Sequence, residues 1–139
     1  MSLRSLIQAR IQTQCPQFKE VAGTASIEGV MAGRLSFPGC YVLTPADRCS
    51  ANETVNRVVH NQRSMITILI AARNVSGERG AAAADDVDEL AGSVLTKLLG
   101  FTPAIDYSPL EKVSGGIFKF FNGYCLYALV MQTNTLICG

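Results

Sequence analysis

His60 is the only histidine in the chain. A nucleophile–histidine–acid site would have to be built on it, with Asp47 or Glu53 orienting the imidazole and Ser64 or Cys49 attacking. Nearness in sequence does not make such a site, because a triad is defined by its geometry in space. A polar or interface histidine is the plainer reading. The five cysteines, Cys15, Cys40, Cys49, Cys125 and Cys138, contain no C-x-x-C pair, whereas zinc ligands usually come in close pairs. Cys125 falls in a β pattern, where a small buried hydrophobe is expected. Asp85, Asp86, Asp88 and Glu89 form an acidic run, but successive helix positions point in different directions and do not converge on one ion. They read instead as charges that complement a helix dipole. No phosphate-binding G-x-x-x-x-G-K-S/T, dinucleotide-binding G-x-G-x-x-G, nucleophile-elbow G-x-S-x-G or zinc-binding H-E-x-x-H occurs. The sequence therefore assigns no catalytic residue, no metal ligand and no cofactor.

The arginines are more informative. Arg48, Arg57, Arg63, Arg73 and Arg79 span residues 48–79, opposed within that stretch only by Glu53 and Glu78. A basic stripe can touch phosphates. No nucleic-acid motif frames this one, however, and no aromatic interleaving offers base stacking. Arginine is the charged residue most favoured at protein interfaces. Arg48, Arg57, His60, Arg63 and Arg73 are thus candidates for contacts to other proteins, with no specific nucleic-acid binding expected.

Composition is compatible with a partner-covered surface, though a well-filled core accounts for it slightly better. The 139 residues are the usual size of one domain, and a single domain over 1–139 is expected. Hydrophobic residues make up 48%. Charged residues make up only 17%, against about 25% in an average domain, as a partner-covered surface would give. A net charge of +1 supplies no bulk field toward nucleic acid or anionic membrane. No apolar stretch reaches the ~18 residues of a membrane span. The first residues lack the apolar run of a signal peptide, so reduced thiols in a cytoplasm are expected. The charge is split along the chain. Residues 1–84 carry nine basic and five acidic side chains, and residues 85–139 carry three and six. A protomer polarised in this way could stack head to tail, and a solvated charged face accounts for the split equally well.

The elements that must position these residues can be read in order. Leu3, Leu6, Ile7 and Ile11 recur at helical spacing, with Ser2 as cap and Pro16 as stop, so a helix is expected over 3–13. Residues 18–22 are a strand candidate. Ser26 to Met31 reads as a short helix capped by Ser26 and ended by Gly33. Cys40 to Thr44, bounded by Pro38 and Pro45, is a strand, and residues 46–53 read as irregular. Val55, Val58 and Val59 and then Met65 to Ala71 are β-rich. They form either a hairpin around Asn61-Gln62 or one bent strand, whose second run is apolar enough for burial on both faces. Gly77 to Gly80 reads as a loop. The longest helix carries Val87, Leu90, Ala91, Val94, Leu95, Leu98 and Leu99, with Ala81 to Ala84 as its first turn and Gly100 as its stop. Ser114-Gly115-Gly116 suggests a turn, and Asn122-Gly123 between two β-rich runs is a hairpin signal. The sum is an α+β fold: an antiparallel or mixed β-sheet with one long and one or two short helices packed on one face.

The order of these pieces resembles the tail terminator proteins of long-tailed phages and prophages. The resemblance runs from about Phe37 to Thr133. It rests on Phe37-Pro38 before Tyr41-Val42-Leu43-Thr44-Pro45, on the strand from Ile66 to Ala71 running into Arg73-Asn74, and on Gly80-Ala81 before the helix holding Asp88-Glu89-Leu90. Leu99-Gly100-Phe101-Thr102-Pro103 closes that helix, Pro109-Leu110-Glu111 opens the next strand, and Gln132-Thr133 closes the last. The resemblance implies a virion structural protein, made in the host cytoplasm, that forms a ring of six copies at the head-proximal end of the tail. Such a ring caps the tail tube, ends its polymerisation and meets the head–tail connector or neck protein. Ring closure asks for a heterologous self-contact, and the two partners ask for two further faces. The β element over 54–71, with Arg57, His60 and Arg63, is the candidate for such contacts. Two other readings compete: a different head–tail joining or tail completion protein, and a small enzyme with an active site around His60 at a subunit interface.

Overall fold

The computed structural model describes residues 2–24, 36–49, 51, 52, 55, 57–73, 81–121 and 124–138. The helix expected over 26–31 and the loop over 77–80 lie outside the described residues. The described residues form two helices and six strands: α1 (Leu3–Gln14), β1 (Glu20–Thr24), β2 (Gly39–Leu43), β3 (Ala46–Cys49), β4 (Val59–Arg73), α2 (Ala81–Leu98), β5 (Glu111–Phe121) and β6 (Tyr124–Cys138). The strands form one mixed sheet in the order β1-β2-β4-β6-β5, with β3 beside the first part of β4. Among the described strands β1 and β2 run parallel and the other pairs are antiparallel.

α1 forms where the apolar spacing predicts it. Ser2 accepts a hydrogen bond from the Ser5 N–H through its side chain, and Leu3, Ile7 and Ile11 are buried. α2 buries Val87, Ala91, Val94 and Leu98. It ends where Gly100 adopts a positive φ of 79°, a conformation that costs glycine little. Both helices share one hydrophobic core with Cys40, Val42, Ile66, Ile68, Ile70, Leu129 and Met131, so both lie on the same face of the sheet. Arg10 ties them together: its Nε donates to the Lys97 carbonyl at 3.2 Å and its guanidinium stacks over Phe101 at 4.7 Å.

β4 and β6 are the backbone of the molecule. They pair without interruption from Val59↔Cys138 to Arg73↔Tyr124. β4 is therefore one continuous strand, with no turn at Asn61-Gln62. Its second half is buried on both faces: Ile66, Ile68, Ile70 and Ala72 face the helices, while Leu69 and Ala71 pack with Tyr41, Leu43 and Leu126 on the other side.

Three expectations need correction. Residues 46–49 are not irregular but form β3, paired with Met65 to Gln62 of β4. Ser114-Gly115-Gly116 is not a turn but the middle of β5. A Cβ on Gly115 would collide with the Tyr127 hydroxyl, so the glycine lets that ring lie across the strand. Finally, α2 begins at Ala81 and its first turn holds no acid. Asp85 to Glu89 therefore lie in its second and third turns, beyond the reach of the dipole, which fades within one turn.

Candidate assembly surfaces

Of the residues proposed for a triad, Ser64 and Asp47 are brought together, His60 is not beside them, and Glu53 lies outside the described residues. Ser64 is buried and donates through Oγ to Asp47 Oδ1 at 2.7 Å, as expected of direct cross-strand partners. His60 sits four residues back along β4, about 13 Å away, opposite Ile137. The Ser64–Asp47 pair thus satisfies a buried hydroxyl and leaves Ser64 no approach to a substrate.

Burial pushes the thiols of Cys15, Cys40 and Cys125 up, in Cys40 with a second contribution from Cys15. Cys49 is exposed on β3. A thiolate is the reactive form, so buried thiols held protonated are inert. A thiol reagent at pH 8 is expected to label Cys49 in the folded protein and to reach Cys15, Cys40 and Cys125 only after denaturation. Peptide mapping by mass spectrometry checks this.

Two surfaces remain. The first is the outer edge of β5, which pairs only with β6 among the described residues. Its register slips twice, between Lys112 and Ser114 and between Ile117 and Lys119. The extra residues are Val113 and Phe118. Both are 43% exposed, as is Ile117 between the two slips. A β-bulge re-aims the side chain it carries and blunts an edge against unwanted strand pairing. Here the bulges turn apolar side chains outward between Lys112 and Lys119. Exposed apolar side chains grouped on one edge mark an interaction site.

The second surface is the arm made by β3, the first part of β4 and the last part of β6. Arg48 and Arg63 are direct cross-strand partners, so both side chains leave the same face. With Asn61 and Asn134 they line a cleft of about 210 Å³. At the far tip, Val58, Leu136 and Ile137 are exposed beside His60, and Arg57 is exposed just before the strand. Four of the five candidate interface residues thus gather on the arm. Arg73 does not: it ends β4, ten residues or about 33 Å from Arg63. There it lines a hollow of about 330 Å³ with Phe37, Pro38, Asp86, Glu89 and Leu90.

This is an α+β protein whose distinctive features are an apolar edge and a basic arm. A family model for the phage tail terminator protein matches residues 2–138. The chain belongs to that family, and with it to the structural proteins of the virion tail. Among solved structures, a chain from the virion of a native gene transfer agent particle is similar. It is 12% identical, with 98% of each chain covered and a TM-score of 0.56, which shows a shared fold. No curated protein matches the sequence.

Proposed function

We propose that this chain acts as one domain that joins copies of itself into a closed ring of six at the head-proximal end of the phage tail. The ring caps the tail tube, ends tube polymerisation and presents a surface to the head–tail connector or neck protein. Family membership supports this reading, and the observation that carries the self-assembly is the β5 edge, where Val113, Ile117 and Phe118 stand exposed. Docking of that edge on a different surface of the next copy is a heterologous contact, and such contacts close into rings when the rotation allows. The tip of the arm, at Arg57, Val58 and Leu136, leaves a separate face for tube or connector. The chemistry is that of surfaces, with no catalytic step.

Native mass spectrometry of the purified chain, alone and with tail tubes, tests the reading. Six copies of 14.9 kDa give a species near about 89 kDa, free in solution or retained on tube ends. A chain that stays monomeric at every concentration and is not retained on tubes overturns it.

A further inference from the structure

We infer that the Arg48–Arg63 cleft of one copy takes the acidic segment Asp85 to Glu89 of its neighbour, an inference that rests on the ring reading above. Placing two like charges directly opposite one another on a sheet is destabilising. β3 and β4 do this with Arg48 and Arg63, both exposed. The one acid of β3, Asp47, faces the other side of the sheet and is held by Ser64. Asp106 borders a separate hollow with Asn61 and Asn134. The cleft therefore has two fork-shaped cations and, among its lining residues, no carboxylate. A carboxylate seated between guanidinium groups is bound by charge-assisted, bidentate hydrogen bonds and relieves their repulsion. Asn134, opposite Arg63 in the ladder, lines the same cleft, and an amide NH₂ can donate to a carboxylate.

The second copy supplies the matching charge. Asp85, Asp88 and Glu89 are exposed on α2. Asp86 and Glu89 lie beside Ala72 and Arg73, at the opposite end of β4 from the cleft. Arg73 lines the hollow with Asp86 and Glu89, while Asp85 and Asp88 are not among its lining residues. From Arg63 to Ala72 is about 30 Å of strand, and α2 packs on the face of the sheet away from the arginines. The two patches cannot meet within one protomer. Between copies they make a head-to-tail contact, the kind that generates rings. A nucleic-acid phosphate would suit two arginines as well, but the chain as a whole is nearly neutral and the cleft offers no aromatic ring for stacking.

A charge swap tests this. Arg48→Glu with Arg63→Glu, and separately Asp88→Arg with Glu89→Arg, change exposed side chains only; circular dichroism melts of the variants confirm folding. Each pair alone is expected to weaken ring formation at least about tenfold at 0.15 M salt, as loss of a complementary charge contact does. Mixing the two variants, so that each reversed cleft meets a reversed helix, is expected to restore rings partly, and combining all four changes in one chain to restore them to within about threefold of the parent. Rings unchanged by either reversal overturn the inference while leaving the ring reading intact. So does a loss that the four-fold combination fails to repair, or an arginine reversal that abolishes binding to a DNA duplex and leaves rings unaffected. A parent chain that forms no ring, free or on tubes, overturns both.

Discussion

Ile68→Ala is expected to lower the stability of the fold by about 2–5 kcal/mol, the range for deleting a fully buried isoleucine side chain. For a chain of this size that is a fall of roughly 6–15 °C in the unfolding midpoint. Ile68 has no exposure and sits between Val42 of β2 and Leu129 of β6 in the ladder. It shares the helix-side core with Ile7 of α1 and Val87 and Val94 of α2. The neighbouring strands are held on both sides, so the site has little freedom to collapse around the missing atoms. Thermal unfolding followed by circular dichroism measures the effect. A loss below about 1 kcal/mol would mean that β4 is not the strand on which both helices rest.

The second large effect is on assembly. Val113→Asp combined with Phe118→Asp is expected to convert the assembled protein to monomers. Fully burying such a side chain contributes about 1.5–3 kcal/mol, and with 43% of each still exposed, docking adds roughly 0.6–1.3 kcal/mol apiece. Losing both weakens association by about one to two decades at about 1.4 kcal/mol each, and burying the new charges weakens it further. The fold is expected to survive, because both residues are the extra members of β-bulges and already half exposed. Native mass spectrometry and a thermal melt together read the outcome: monomers with an unfolding midpoint within about 3 °C of the parent, as exposed substitutions usually leave it. Rings that persist with both aspartates in place would remove the β5 edge from the interface.

The sequence reveals most where one residue type has one purpose. Leu3, Ile7 and Ile11 with Ser2 define α1, and the apolar spacing from Val87 to Leu98 defines α2. The β-rich runs of β2, the second half of β4 and β6 are equally plain, and with the helices they give the α+β class. What stayed hidden is held by pairing rather than by composition. β3 reads Ala46-Asp47-Arg48-Cys49, with no β-branched or aromatic residue and all four exposed; only its main-chain bonds to β4 make it a strand. Asn61 to Ser64 looks like a turn because these residues are polar, yet Ser64 is buried against Asp47. Gly115 looks like punctuation, but its reason is Tyr127, which lies on another strand. The parallel pairing of β1 with β2 leaves no local trace at all. On the surfaces, the arginines of the arm were visible as a stripe, but their direct opposition and the separation of Arg73 depend on register. Val113 and Phe118 carry no signal of their own, since an apolar residue in a strand ordinarily reads as core.

β6 leaves the ribosome after every other described element, yet it lies between β4 and β5 in the middle of the sheet. Its partners in β4 are 51 residues earlier at the Arg73↔Tyr124 end and 79 earlier at the Val59↔Cys138 end. Until it is synthesised, β4 has an open flank and β5 has no neighbour, and contacts of such long sequence separation are slow to form. Nascent chains waiting side by side on one message would then expose the unpaired main-chain flank of β4 to one another. A chain of this topology is expected to lean on chaperones during translation and to finish folding before it joins a tail.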